Sequence, residues 1–198
     1  MISNLAKVIG FQEIEKKEVS TNIFHAIEKL IKEHLLSLDD IDLIGLGVGP
    51  GSFTGIRVGA SIAFALSYGK NIPLISYCSL EAYQPLGKSA SFEGFFNAGR
   101  GNVYHISGAK SSTNQKMIYT HPKILEAITA EKEMKSKKNA LFISPHIKSL
   151  REFGINLQFV EAKLDKEYLT RSIFEKFAQK GPQKIEQVNL LYLNDIEQ

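Results

Sequence analysis

The residues best placed to do chemistry are Gly49-Pro50-Gly51-Ser52-Phe53-Thr54-Gly55-Ile56-Arg57-Val58-Gly59. Four glycines and a proline fall within these eleven residues, directly after the apolar run 41–48 and ahead of a helix-patterned stretch, 56–68. A strand–turn–helix junction of this kind has two uses. It brings backbone N–H groups up to an anion, or it lets two elements pack unusually close. Spacing excludes the common anion and nucleophile motifs. A P-loop needs a lysine after its second glycine, and here Ile56 follows Gly55. A Rossmann turn needs Gly-x-Gly-x-x-Gly, and Gly49, Gly51 and Gly55 have one residue too many. A nucleophile elbow fails as well, because Ser52 directly follows Gly51.

Other constellations are weaker. His25, His34, His105, His121 and His146 include no pair at the i, i+4 spacing that puts two metal ligands on one helical face. Cys78 is the single cysteine, which fits a reducing compartment, and after the strand-like 73–77 it reads as a packed thiol. Asp39, Asp40 and Asp42 sit where a helix-to-strand turn attracts aspartate for local backbone reasons. Lys135, Lys137 and Lys138 form the one tight basic group and read as a solvated loop. A net charge of +3 with 43% hydrophobic and 23% charged residues is ordinary for a globular protein and argues against a nucleic-acid-gripping surface. No run reaches the roughly 18 apolar residues of a membrane span. A cytoplasmic protein without membrane contact is expected.

The glycine turn has to be positioned by the elements around it. A hairpin with arms 5–11 and 14–19 comes first. A helix capped by Ser20-Thr21-Asn22 follows, with Ile23, Ile27, Leu30, Ile31 and Leu35 on one face. A buried strand over 41–47 leads into the turn. On the next helix, Gly55, Gly59, Ala63 and Ser67 recur every four residues as a ridge of small side chains, flanked by Ile56, Ala60 and Phe64. Such a ridge allows close approach of another element. A helix apolar all round is normally buried. Beyond a strand at 74–77 and a linker at 85–91, strands are expected at 93–98, 103–107, 116–120, 140–143 and 157–160. Helices are expected at 123–134, 147–153 and 166–178. The order predicts an α/β chain in two lobes, 1–84 and 85–198.

The glycine segment resembles the signature of the bacterial TsaB (YeaZ) family. The resemblance continues through Asn71-Ile72-Pro73-Leu74, Ser79-Leu80-Glu81-Ala82, Asn97-Ala98-Gly99-Arg100-Gly101-Asn102-Val103-Tyr104 and Leu191-Tyr192-Leu193. It is strong over 41–82, fair over 97–104 and weak between 110 and 187. It implies an actin-like, ribonuclease H-like fold in two lobes. It also implies a non-catalytic subunit that pairs with the related enzyme TsaD and, with TsaE, serves threonylcarbamoyl transfer onto a tRNA adenosine. ATP and metal would then belong to the partner subunits, with no cofactor in this chain, and tRNA would be met through the complex. The helices on either side of the turn would form the interface with TsaD or, in a homodimer, with a second copy. The residues expected there are Ile23, Ile27, Ile31, Gly55, Ile56, Gly59, Ala60, Ala63 and Ser67, with Arg57 at the rim or solvated.

Two departures from the family pattern bear on these expectations. The family's opening central strand would already have finished where Met1-Ile2-Ser3 begins. The start therefore lies upstream, or the sheet has closed up, or another chain covers the gap. Asn97 and Asn194 replace a family Asp and Arg. The alternative function is a self-sufficient ATP-dependent enzyme or peptidase of the same superfold.

Overall fold

The computed structural model describes residues 1–4, 7–14, 18–85, 89–113, 116–137 and 139–193. In chain order the elements are β1 (Ile2–Asn4), β2 (Lys7–Gly10), α1 (Val19–Glu33), β3 (Ile44–Gly47), α2 (Phe53–Lys70), β4 (Leu74–Tyr77) and β5 (Tyr83–Pro85). There follow β6 (Ser91–Gly99), β7 (Asn102–Lys110), β8 (Met117–Tyr119), β9 (Lys123–Glu126) and α3 (Ala127–Lys135). The last are β10 (Phe142–Ser144), α4 (Ile147–Glu152), β11 (Phe159–Leu164) and α5 (Lys166–Lys180). Two compact units result, Met1–Ser79 with Lys166–Tyr192, and Leu80–Asp165 with Leu193–Gln198. The division expected after residue 84 is thus replaced by one in which α5 returns to the first unit. The cause is burial: Leu169, Thr170 and Ile173 are covered, and α5 contacts both β2 and β4.

In the first unit β3 and β4 are parallel, in register from Ile44↔Leu74 to Gly47↔Tyr77. Helix α2 covers β3, and Leu46, Val48, Ala60, Ala63 and Leu74 form a core joined by Val188, Leu190 and Leu191. The hairpin β1–β2 is shifted from the expected arms. Asn4 Oδ1 accepts the Lys7 N–H (3.2 Å) at its turn. Of the second arm expected at 14–19, residues 15–17 lie outside the described residues and Val19 already opens α1. That helix begins at Val19 with Glu18 as its N-cap, ahead of the expected cap at Ser20-Thr21-Asn22. Thr21 Oγ1 donates to the Glu18 carbonyl (3.1 Å), and Asn22 Nδ2 donates to its carboxylate (3.0 Å). The three polar residues therefore furnish the first turn instead of preceding it. Among the described residues, β1 pairs only with β2 and β3 only with β4. The sheet has not closed up.

The second unit carries one sheet in the order β5-β11-β10-β6-β7-β8, with β9 also on β7. Phe95, Val103, Leu150 and Ile155 are fully buried in its core. The strands expected at 93–98 and 103–107 are one long hairpin, turning at Gly99-Arg100-Gly101 with φ of 81°, 52° and 77°. The helix expected over 123–134 is β9 followed by the shorter α3. Ile124 and Leu125 bury themselves by laddering with Tyr104 and Val103, so pairing overrides the helical reading. Part of the expected linker is strand, since β5 pairs with β11 and Ser91 opens β6; residues 86–88 lie outside the described residues.

Candidate functional site

The glycine turn is built inward. Gly49 adopts φ +100°, and a Cβ there would lie 2.7 Å from both Ile56 Cδ1 and the Leu191 carbonyl oxygen. Its N–H donates to Ser79 Oγ (3.0 Å), and its carbonyl accepts the Ser79 N–H (2.8 Å). The Gly49–Pro50 peptide is cis. The backbone groups of Gly49 are thus spent on Ser79. Ser52 Oγ accepts the Gly55 N–H (3.3 Å) and caps α2. Arg57 lies over the Phe53 ring, 3.8 Å from its centroid, and its Nε donates to the Tyr192 hydroxyl (3.3 Å). It is held within an aromatic stack, a contact that sequence reading missed because Tyr192 is 135 residues away.

The candidate interface residues fall into three groups. Ile23, Ile27, Ile31, Gly59 and Ala63 line one apolar cavity of about 490 Å³, between α1, α2, β3 and the β1–β2 hairpin. Ile56 and Ala60 are buried, Ala60 within the core of the first unit. Gly55 is tied to Ser52, and Ser67 Oγ donates to the Ile72 carbonyl (2.7 Å) to finish α2. The expected close approach at Gly59 is absent among the described residues. A Cβ built there meets nothing within 4 Å, and the same holds at Gly51. Of the small ridge, Gly59 therefore lacks a counterpart among the described residues, while Ala63 also packs in the core. Phe24, Leu35 and Tyr68 on or just beyond the helices are exposed at 57%, 95% and 84%. Leu35 belongs to the apolar face expected for α1 yet is exposed, whereas Phe24 and Tyr68 stand outside the periodicity used to choose the interface.

A second polar cluster lies in the other unit. The register of β6 and β7 sets Glu93 opposite Ser107 and Phe95 opposite His105, all on one sheet face. Glu93 accepts from Ser107 Oγ (2.6 Å) and from Lys137 Nζ, and His105 Nε2 lies 2.7 Å away. Burial alone would raise the carboxyl pKa. The hydrogen bonds from His105, Lys137 and Ser107 outweigh it and bring Glu93 down to about 2. Because Ser107 donates to the carboxylate and not to His105, the group is no nucleophile–base pair. Lys137, expected in a solvated loop, is part of this clamp; Lys135 pairs with Glu131 (3.3 Å), and Lys138 lies outside the described residues.

Other candidates serve local structure. Asp40 accepts from the Ser37 N–H and hydroxyl (both 2.8 Å), and Asp39 pairs with Lys70 (2.8 Å). Asn97 Oδ1 accepts the Gly99 N–H (2.6 Å) and shapes the hairpin turn, while Asn194 lies outside the described residues. Cys78 is buried. Among the described residues no His, Cys, Asp and Glu group could hold a metal, and no helix is long and apolar enough to cross a membrane.

Residues 12–166 match the family model described as "TsaD: tRNA N6-adenosine threonylcarbamoyltransferase". Two relatives named "tRNA threonylcarbamoyladenosine biosynthesis protein TsaB" come from Haemophilus influenzae and Bacillus subtilis. The first is 37% identical over 70 residues, 35% of this chain and 30% of the relative. The second is 33% identical over 93 residues, 45% of this chain and 40% of the relative. The matched region thus spans well under half of these relatives. The solved structure of YeaZ from Pseudomonas aeruginosa superposes with a TM-score of 0.71 at 17% identity, covering 91% of this chain and 87% of that one. That likeness shows the fold, an α/β fold of the actin-like, ribonuclease H-like kind. With 155 consecutive residues inside one family model, the chain belongs to the TsaD-related family, and the relatives it resembles within it are TsaB (YeaZ) proteins.

Proposed function

We propose that this chain is a non-catalytic subunit in the formation of threonylcarbamoyladenosine in tRNA. It pairs with and stabilises a catalytic TsaD partner, and TsaE completes the assembly. The names of the TsaB relatives support the pathway. The observation that carries the subunit role is the wall of α1 and α2. Ile23, Ile27, Ile31 and Gly59 line an apolar cavity, and among the described residues nothing lies within 4 Å of where a Gly59 side chain would start, the helix's own nearby backbone aside. Apolar surface left open to water favours association. ATP and metal are held by the partner subunits, tRNA is met through the complex, and the assembly works in the cytoplasm.

Reconstitution tests this reading. The chain is mixed with TsaD and TsaE from the same organism, and modified adenosine is measured in tRNA by mass spectrometry. The reading requires a stable TsaD complex on size-exclusion chromatography and loss of modification when this chain is left out. Failure of both would remove it. The competing reading is an ATP-dependent enzyme of the same superfold. Micromolar ATP affinity of the isolated chain by calorimetry would favour that alternative.

A further inference from the structure

The segment that follows α5 crosses the first unit and is fastened to it at two places. At Gln183 it is anchored on β4. The Gln183 N–H donates to the Leu74 carbonyl (2.8 Å), and Gln183 Oε1 accepts the Ser76 N–H (2.5 Å). A short turn at Ile185–Gln187 follows, with no buried residue. Beyond it, Val188, Leu190 and Leu191 pack half-buried on the core of the unit. The second fastening is at the glycine turn. The Leu191 N–H donates to the Val48 carbonyl (2.8 Å), and the Leu191 carbonyl oxygen lies 2.7 Å from where a Gly49 Cβ would stand. The Tyr192 hydroxyl accepts from Arg57 Nε (3.3 Å), and the Tyr192 and Phe53 rings pack with centroids 5.1 Å apart.

These contacts bracket the turn. Val48 and Gly49 are its entry, and Ser52 to Gly55 are its exit into α2. The entry is also held from the other side by Ser79, which takes both backbone groups of Gly49. Ile56 is buried and pins α2 just beyond the exit. Between these fixed points stand the Ser52 cap on the Gly55 N–H (3.3 Å) and the stack of Arg57 on Phe53 and Tyr192, with Phe53 half-exposed. A segment with a hydrogen-bonded anchor, an exposed turn and a half-buried end opens more readily than the strands it crosses. We infer that residues 188–192 are a latch on the glycine turn, hinged at Ile185–Gln187 and closed by Arg57 through the Tyr192 and Phe53 rings. Closed, it holds the exit of the turn in one piece with the entry. Open, it frees the exit while Ser79 keeps the entry in place. Arg57 is thereby a positioning residue. Lysine there would keep the charge but lose the planar stack.

The test uses the isolated 198-residue chain and no partner, so its outcome is separate from that of the proposed function. Amide protection is followed by NMR hydrogen exchange. In wild type, Leu191 should be about tenfold less protected than Ser76 and Gln183, which marks the latch end as opening ahead of the anchor. Tyr192→Ala and Arg57→Ala should each lower protection at Leu191 and Gly55 by one common factor of about five, with Ser76, Gln183 and Gly49 unchanged. Arg57→Lys should match Arg57→Ala. The double variant should differ from the single ones by less than about twofold, because both changes undo one contact. Equal protection of Leu191 and Gln183 in wild type would remove the hinge and overturn the inference. So would a loss at Leu191 with Gly55 unmoved, which describes a loose segment that governs nothing. An equal loss at all of these amides would reduce the stack to ordinary packing. Factors that multiply in the double variant would separate Arg57 from Tyr192 and leave no latch.

Discussion

The two units solve the same packing problem differently. The second completes itself: every strand of its sheet has a neighbour, Phe95 is fully buried against Phe142 and Phe159, and the Glu93 carboxylate is surrounded by three donors. The first divides its strands into two separate pairs and leaves an apolar cavity between them. A fold that satisfies its own hydrogen bonds and buries its own apolar surface has little left with which to bind. One that leaves both undone invites a partner, and regions that open or bind are drawn from the less stable parts of a structure. The glycine turn is tied down within the first unit: Ser79 takes both backbone groups of Gly49, and Ser52 takes the Gly55 N–H.

Mutations separate the closed unit from the open one. Phe95→Ala should cost the most, about 3–5 kcal/mol in urea unfolding, because the aromatic cluster cannot collapse into the space. Ile27→Ala, on the cavity wall, should cost about 1 kcal/mol or less, since much of that side chain already faces open volume. Equal losses would erase the distinction. Gly49→Ala should cost about 2–3 kcal/mol, combining a positive φ with a clash against the Leu191 carbonyl. Glu93→Gln should cost about 1–3 kcal/mol by leaving Lys137 and His105 without their carboxylate. The sign of its pH dependence follows from the lowered pKa. Stability from Glu93 is present above the ordinary value of 4.5 and is lost as pH falls toward about 2. Acid titration of wild type and Glu93→Gln should therefore draw together as pH falls from 4.5 and converge only at about pH 2 or below.

The smallest effect is expected at Gly59. Gly59→Ala should leave the isolated chain unchanged or more stable by up to about 1 kcal/mol, because helix propensity improves and nothing obstructs the methyl group. Gly59→Leu should fold equally well yet weaken the TsaD complex on size-exclusion chromatography. A Gly59→Leu complex of wild-type strength would show that the ridge is idle.

How far the sequence revealed this depends on the range of each interaction. Helix α2 and the long β6–β7 hairpin were legible from local signals, an apolar helical run after a turn and alternation around Gly99-Arg100-Gly101. The start of α1 was misread because Glu18, a weaker capping type, receives the bonds of Thr21 and Asn22. Ile124-Leu125 looked helical until β7 supplied a ladder partner. The Glu93 clamp joins residues 12, 14 and 44 positions apart, a spacing no local period encodes. Only the fold shows that five candidate interface residues line one cavity and that Ile56, Ala60 and Ser67 serve the chain itself.

The most direct test is hydrogen exchange of this chain alone and in the presence of TsaD from the same organism. The account predicts slowed exchange across residues 23–31 and 59–67, with the glycine turn at 49–55 unchanged. Protection confined to 49–55, or none anywhere at saturating TsaD, would contradict it.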